Sequence, residues 1–472
     1  MTTTTSSTHG HPSFQGLIGA AQRDITPPAG IYARSWGAAK HDVHDGVHRP
    51  LTCTAVVLRA GENDLPLALI ALDLGWWKRA EDEWLVRGAV IAALGVDDAR
   101  VIVTMAHTHA GPSIDRSDHD RPGGHLVAAY LEQVRDAAVA AATEALRTAC
   151  PAELAWEYGH CALARNRDLP DPLKPRTLCG FNPDLPADDT LLVGRATRTD
   201  GTIVATIVNY ACHPTTLAWE NHLISPDYVG AMRATVQAGT GGAPCAFLLG
   251  ACGDLGPREQ YTGDTSVADR NGAYLGACAL ATLVGMLPPR TRLAFSGAIE
   301  SGAPLAAWRS EPTQPARTIG ASTFAIEHPL KPLPSVAEIT DELARCTDPV
   351  LIERLRRKLG VRRAVGDGST APIRGWVWRL GDAVLLAHPH EAYSLLQTEL
   401  RARTPSRAIA VMNLSNGTSV GYLPPAALYD RDLYQVWQTP YAREVLERFT
   451  DACASAIDRT FSTSTAMNGS NA

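Results

Sequence analysis

Two imidazoles two residues apart, His107 and His109, stand at the end of the β-branched run VIVTM, in the segment AHTHAGP. In an extended segment, residues i and i+2 point to one face. Both rings therefore address the same space just past a strand end. Imidazole is the commonest protein ligand for zinc, so the pair fits a metal site. It fits equally a hydrogen-bonded loop pair with no metal. Three more polar side chains stand in comparable places. His213, in NYACHPTTL, follows another apolar run, where a histidine packed at a proline turn is the plainer reading. Glu391, in AHPHEA, stands at the expected start of a helix, where an acid favours capping and the macrodipole. Tyr422, in NLSNGTSVGYLPP, reads as a buried aromatic at a strand edge. Spacing joins none of these four positions, which are spread from the first quarter of the chain to the last.

The elements that must position them alternate in type. TAVVLRA (54–60) and PLALIALDLGWW (66–77) read as strands, and DEWLVRGAVIAALG (82–95) as an amphipathic helix. ARVIVTMAHTHAGP (99–112) is a strand and a polar loop, followed by a long Ala-rich helix over 125–146. TIVATIVNYACHP (202–214) and APCAFLLGACGDLGP (243–257) repeat strand then loop, and 382–403 is strand, Pro turn, helix. This alternation predicts an α/β fold: a mixed multi-stranded sheet core covered by helices, with the functional loops at strand ends. Residues 328–372 are charged, Pro-rich at their start and helical in pattern, and read as an inserted helical hairpin or lid. The polar stretches 1–15 and 462–472 read as disordered tails around one catalytic domain over 16–461.

Of the 472 residues 45% are hydrophobic and the net charge is −6, ordinary globular values with no basic patch that would point to nucleic acid. The ten cysteines form no CxxC pair, which excludes a zinc-ribbon pattern. They read as free thiols of a reducing compartment. The first residues, MTTTTSSTHGHPSFQG, lack the basic and apolar regions of a secretory signal, and no apolar run is long enough to span a membrane. The expectation is a cytoplasmic protein with no stable membrane insertion, whose partner is a small molecule.

An ordered set of segments resembles the neutral, non-lysosomal ceramidases, and specifically their catalytic N-terminal domain. GLIGAAQRDITPPAG is similar to that family's opening strand and turn, DGVHRPLTCTAVVL to its Gly-Ile-His-x-Arg segment, and AHTHAGP to its His-Thr-His-Ser-Gly-Pro motif. ARNRDLPDP with FNPD, NYACHPTTL with HLISPDYVGA, AHPHEA, and NLSNGTSVGYLPPAALYDRDLYQ match later family segments in the same order, from about residue 17 to 440.

The resemblance implies one zinc ion held by His107, His213, Glu391 and Tyr422, with His109, Arg167 and Tyr434 as the other reactive pocket residues. A cation lowers the pKa of a bound phenol as it does that of bound water, so a tyrosine ligand is chemically reasonable. The implied activity is zinc-dependent hydrolysis of a C–N amide bond in an N-acyl-type small molecule by metal-activated water. His109 would carry the proton to the departing nitrogen, and Arg167 and Tyr434 would donate to the oxyanion. A surface or salt-bridging arginine is an equally good reading of Arg167. The same metal chemistry would serve an ester, lactone or carbamate, and a catalytically inactive ligand-binding relative is a further alternative.

Three departures bear on the substrate. Gly256, in GDLGP, stands where the family has a serine important for activity, and reads as reshaping the substrate cleft. The C-terminal immunoglobulin-like domain of many ceramidases and the secretion signal have no counterpart. The last two point to a divergent member acting on a soluble, non-ceramide amide, with ceramide itself as the lesser alternative. Of the other histidines, His41 and His44 read as loop residues, His48 as a possible pocket residue and His390 as facing solvent. Asp73 reads as an orienting partner for a ligand histidine or as a helix cap.

Overall fold

Within the run TCTAVVLR, Val56 and Leu58 are buried on one face and Ala55 and Val57 on the other. A strand without a polar face is one covered on both sides. The computed structural model, which describes residues 7–467, shows what covers it.

The main sheet has eight strands: β1 (Ser13–Asp24), β2 (Thr52–Arg59), β3 (Leu67–Leu72), β4 (Val101–Met105), β5 (Cys150–His160), β6 (Thr190–Arg198), β7 (Ile203–Tyr210) and β8 (Cys245–Leu249). Their spatial order is β8-β7-β6-β5-β1-β2-β3-β4. The interior is antiparallel, and the last pair at each edge, β7 with β8 and β3 with β4, is parallel. Parallel neighbours need a crossover connection. Helix α1 (Ala80–Leu94) supplies it between β3 and β4, and α3 (Tyr228–Gly239) between β7 and β8. With α2 (Val127–Arg147) and α4 (Thr265–Gly285) these helices bury one face of the sheet through Val86, Tyr130, Met232 and Leu275.

The other face meets a second sheet of β9 (Ile319–Pro329), β10 (Thr370–Leu380), β11 (Ala383–Ala387) and β12 (Ala408–Met412), in that spatial order. Phe14, Ile18, Leu58 and Trp156 interlock there with Trp376, Trp378, Leu385 and Met412. Each aliphatic side chain so buried contributes about 1.5–3 kcal/mol. Helices α7 (Leu395–Arg403) and α9 (Val445–Met467) close the far side of the second sheet. The layers therefore run helix, sheet, sheet, helix, an α/β fold built on mixed sheets.

Between β9 and β10 stands a helical hairpin, α5 (Val336–Arg345) and α6 (Pro349–Val365). Ser335 and Glu338 form a capping box at the start of α5, and Asp348 accepts from the Val350 and Leu351 amides at the start of α6. The expected insertion is thus helical over these residues, while 328–329 and 370–372 complete the flanking strands. The tails differ from expectation as well. Thr8–His9 pairs with Leu293–Ala294, β1 starts at Ser13, and His11 Nδ1 lies 2.7 Å from Glu157. At the other end α9 continues to Met467. Residues 1–6 and 468–472 lie outside the described residues. Among those described, all ten cysteines are free and no helix is long and apolar enough to cross a membrane.

Candidate metal centre

His107 follows β4 and His213 follows β7, and these strands belong to opposite edges of the main sheet. What brings them together is the segment after β12. The Asn413 amide donates to Leu249 O of edge strand β8 (2.9 Å). Three residues on, the Asn416 amide donates to Val103 O of edge strand β4 (2.9 Å), and its carboxamide bonds Val103 N (2.8 Å) and Val101 O (3.0 Å). Met105 N donates to Leu414 O (3.2 Å). One stretch of backbone thus joins the two open edges. It also holds the loop before Glu391, because Ser415 N donates to His388 O (2.9 Å) and Leu414 N to His390 O (3.3 Å).

Four donor atoms meet at this junction. His107 Nε2 lies 3.1 Å from His213 Nε2 and 3.4 Å from His109 Nε2. Glu391 Oε2 lies 3.0 Å from His213 Nε2 and 3.4 Å from His107 Nε2. His107, His213 and Glu391 are buried and His109 half-buried. Each of the first two rings is held from behind. The Nδ1 of His213 donates to Cys252 O (3.0 Å), and that of His107 approaches Gly75 O (3.3 Å). Such bonds leave Nε2 free to bind inward. His107 adopts a left-handed φ of 70°, a conformation costly for a non-glycine residue and common at functional sites.

Burial lowers the His213 pKa to about 3, with the Arg167 charge acting in the same direction. Burial, then the His107 and His213 rings, hold His109 well below the usual histidine range. Burial alone would raise Glu391, yet the neighbouring imidazoles, His107 first, keep its carboxyl well below the ordinary value. The cluster thus sets an ionised carboxylate beside two imidazoles, His213 and His109, that favour the neutral form. Glu391 Oε2 is buried and no donor meets it in hydrogen-bonding geometry. Convergent imidazole nitrogens and a carboxylate oxygen without a bonding partner are the donor set that suits zinc. His107, His109 and His213 are by themselves spaced to hold a metal ion.

The remaining expected site residues lie around this cluster. Tyr422 stacks on His213, ring centroids 6.4 Å apart, and Tyr434 meets Tyr422 edge-on at 5.7 Å. Burial, then the Glu391 charge, push the Tyr422 phenol well above its ordinary pKa. Arg167 is buried and not at the surface. It donates to Gly253 O through Nε (3.1 Å) and Nη2 (2.8 Å), and from Nη2 to the Tyr422 hydroxyl (3.1 Å). Trp76 packs against His107 and His109, and Trp36 against His109, at centroid distances of 5.0–5.3 Å.

Several expectations need correction. Glu391 does not open a helix: it lies in a two-residue ladder with Tyr422, and α7 begins four residues later, at Leu395. His390 does not face solvent. It is buried along the cleft, and neither ring nitrogen has a partner. Asp73 orients no histidine; it binds Arg233 and accepts from Thr52 N (2.8 Å) and Oγ1 (2.9 Å). His48 bonds Ser225 Oγ (3.0 Å) and Asp269 (3.2 Å), away from the cleft. Gly256 does not shape the cleft either. A Cβ there would lie 3.0 Å from the Gln260 carboxamide, which fills the space. Sequence reasoning also passed over Arg357 of α6, which donates to the Tyr434 hydroxyl (3.4 Å) and to Ser35 O (3.1 Å).

A cleft of about 1350 Å³ opens over Glu391, Tyr422 and Tyr434, lined also by Trp76 and by residues of α6.

Neither a protein-family model nor a curated protein matches this chain. Solved structures do. A ceramidase complexed with C2 superposes with a TM-score of 0.63 at 17% identity, over 93% of this chain and 74% of that one. The neutral ceramidase from Pseudomonas aeruginosa superposes with a TM-score of 0.66 at 18% identity, over 94% and 74%. At such identities the likeness is one of fold. The chain has a ceramidase-like fold, as the ordered motifs led one to expect.

Proposed function

We propose that this chain is a zinc-dependent hydrolase that cleaves the C–N amide bond of an N-acyl-type small molecule. The observation that carries the reading is the convergence of His107, His213 and Glu391, donor atoms 3.0–3.4 Å apart, at a buried junction opening into a cleft. The shared fold with ceramidases supports it. His107, His213 and Glu391 would hold the ion together with Tyr422. Bound zinc would supply Lewis acidity toward the substrate carbonyl and toward water.

The chain's own residues do the rest. Water adds to the carbonyl carbon, the C–N bond breaks, and the departing nitrogen takes up a proton, giving a carboxylic acid and an amine. His109 is the proton carrier, since its ring borders the donor cluster and its Nδ1 has no partner. Tyr434 stands across Tyr422 with its hydroxyl held by Arg357, placed to donate to the developing oxyanion. Arg167 fixes the Tyr422 hydroxyl and the Gly253 carbonyl. Trp36 and Trp76 pack on His109 and limit its contact with water.

The test is metal analysis of the purified protein together with hydrolysis of paired N-acyl amides and esters, followed by release of acid and amine. One zinc per chain and amide turnover that chelation abolishes are expected. Turnover of the esters alone would move the reading to an esterase. No metal and no turnover would remove it.

A further inference from the structure

The wall of the cleft formed by α6 has an unusual charge. This helix carries six cationic side chains and one acid, Glu353, in a chain of net charge −6. Glu353, Arg356, Arg357, Gly360 and Arg363 recur at helical spacing and line the cleft. Most acids along the cleft already have a cation: Glu353 faces Arg357 (3.2 Å), Asp118 faces Lys78 (3.7 Å), and Glu83 and Asp98 share Arg87. Asp115 is occupied by the Ser117 amide and hydroxyl. By contrast Arg121, Arg356, Arg363 and Arg374 line the same space with no carboxylate partner among the described residues. The row of guanidinium groups continues inward to Arg357, itself paired with Glu353, which reaches the Tyr434 hydroxyl beside the donor cluster.

We propose that the amide taken by this cleft carries a carboxylate, bound by the guanidinium groups of α6 and of Arg374. A surplus of one sign of charge along a cleft raises the local concentration of the opposite sign. Arginine is the side chain best matched to a carboxylate, which it holds through two parallel hydrogen bonds. An aliphatic chain would leave these groups desolvated without a partner, at a cost. The helical insertion thus sets the substrate class: an acylated amino acid or other anionic amide, and not a neutral lipid. This inference rests on the hydrolase reading for the fate of the ligand but not for its binding.

The experiment separates the two. Equilibrium binding of N-hexanoylglycine and of its neutral counterpart N-hexanoylglycinamide is measured calorimetrically on the intact protein, and release of hexanoate is followed in parallel. The carboxylate should bind at least about ten-fold tighter, an advantage that shrinks at high salt. Arg356→Glu with Arg363→Glu should erase that preference, and the milder Arg356→Gln with Arg363→Gln should reduce it. Both positions are exposed, so folding is expected to survive. Equal binding of the two probes, binding of neither, or a preference untouched by the reversal overturns the inference. Tight carboxylate binding without hydrolysis upholds the inference and sinks the hydrolase. Hydrolysis of both probes with equal binding does the opposite.

Discussion

Glu391 and Tyr422 are register partners in a two-residue parallel ladder, extended by Ala392 opposite Leu423 and backed by Glu391 N donating to Gly421 O (3.1 Å). Paired residues of neighbouring strands put their side chains next to one another. The carboxylate and the phenol are therefore set relative to each other by backbone hydrogen bonds, not by side-chain packing alone. Tyr422 in turn stacks on His213, whose Nε2 faces the carboxylate. Side chains proposed to share a cation are thus positioned in part by main-chain hydrogen bonds, the kind of support a metal centre needs.

Replacing His107 or His213 by Ala should weaken zinc binding by at least about 100-fold, since loss of a mere outer partner already costs 10–100-fold. Metal bound only by the native state raises its melting temperature. Wild type should melt higher with zinc than with chelator, and the His213→Ala protein should melt alike in both. Plasma mass spectrometry and a thermal scan read the two effects. A His107→Ala protein with full zinc content and an unchanged zinc-dependent shift would contradict the site.

Asn416 should be a stability hot spot although it touches none of the four donor residues. Its buried carboxamide satisfies Val103 N and Val101 O of an edge strand, and its φ is 51°. Asn416→Ala leaves two buried backbone groups unpaired at about 1–3 kcal/mol each. It also places a side chain without local hydrogen bonding in the left-handed region, at about 1 kcal/mol more. Asn416→Gly loses the same hydrogen bonds but avoids the backbone strain of alanine, so it should unfold at a higher urea concentration than Asn416→Ala but below wild type. Zinc affinity should fall with both, because the segment that draws β4 toward β8 is loosened. Equal stability of wild type and Asn416→Ala would show that the junction is held by other contacts.

These two predictions draw on unequal parts of the sequence. VIVTM and CAFLL are legible as strands because both their faces are buried, so every residue but Thr104 is apolar. His107 and His109 are legible as a pair through their spacing. Their convergence with His213 and Glu391 is not, since it depends on backbone bonds from Asn413 and Asn416 to two distant edges, and no periodicity records those. Helices α3 and α4 also have no counterpart in the sequence reading. They pack through glycine: a Cβ on Gly272 would lie 2.1 Å from Tyr228 O, and one on Gly276 would lie 2.6 Å from Thr235 Cβ. Glycine at a close helix contact weakens the very pattern by which a helix is read. The polar stretch over residues 7–12 looked like a tail because composition is blind to main-chain pairing and to the His11–Glu157 ion pair.

Gly256→Ser should restore no activity despite placing a serine where the ceramidases have one. The added Cβ would lie 3.0 Å from Gln260 Oε1, so the carboxamide must give by a few tenths of an ångström and strains its bond from Thr215 Oγ1 (2.9 Å), whose complete loss is the upper limit of the cost. Losing one partly buried hydrogen bond costs about 0.5–1.5 kcal/mol. A slightly lowered urea midpoint with unchanged kcat/KM is expected. A several-fold gain in kcat would show that the serine reaches the reacting centre after all.

Asp73 separates stability from metal binding. It is buried with Arg233, and it accepts from both the amide and the hydroxyl of Thr52, tying the end of β3 to α3 and to β2. Removing one member of a buried ion pair strands the other charge, typically at about 3–5 kcal/mol. Asp73→Ala should therefore lose that much stability in urea unfolding at neutral pH. The zinc content of the protein that remains folded should stay at the wild-type level, because His107 takes its rear contact from Gly75 O and not from this carboxylate. If zinc affinity fell about ten-fold or more while stability barely changed, Asp73 would be a support of the metal centre and not of the fold.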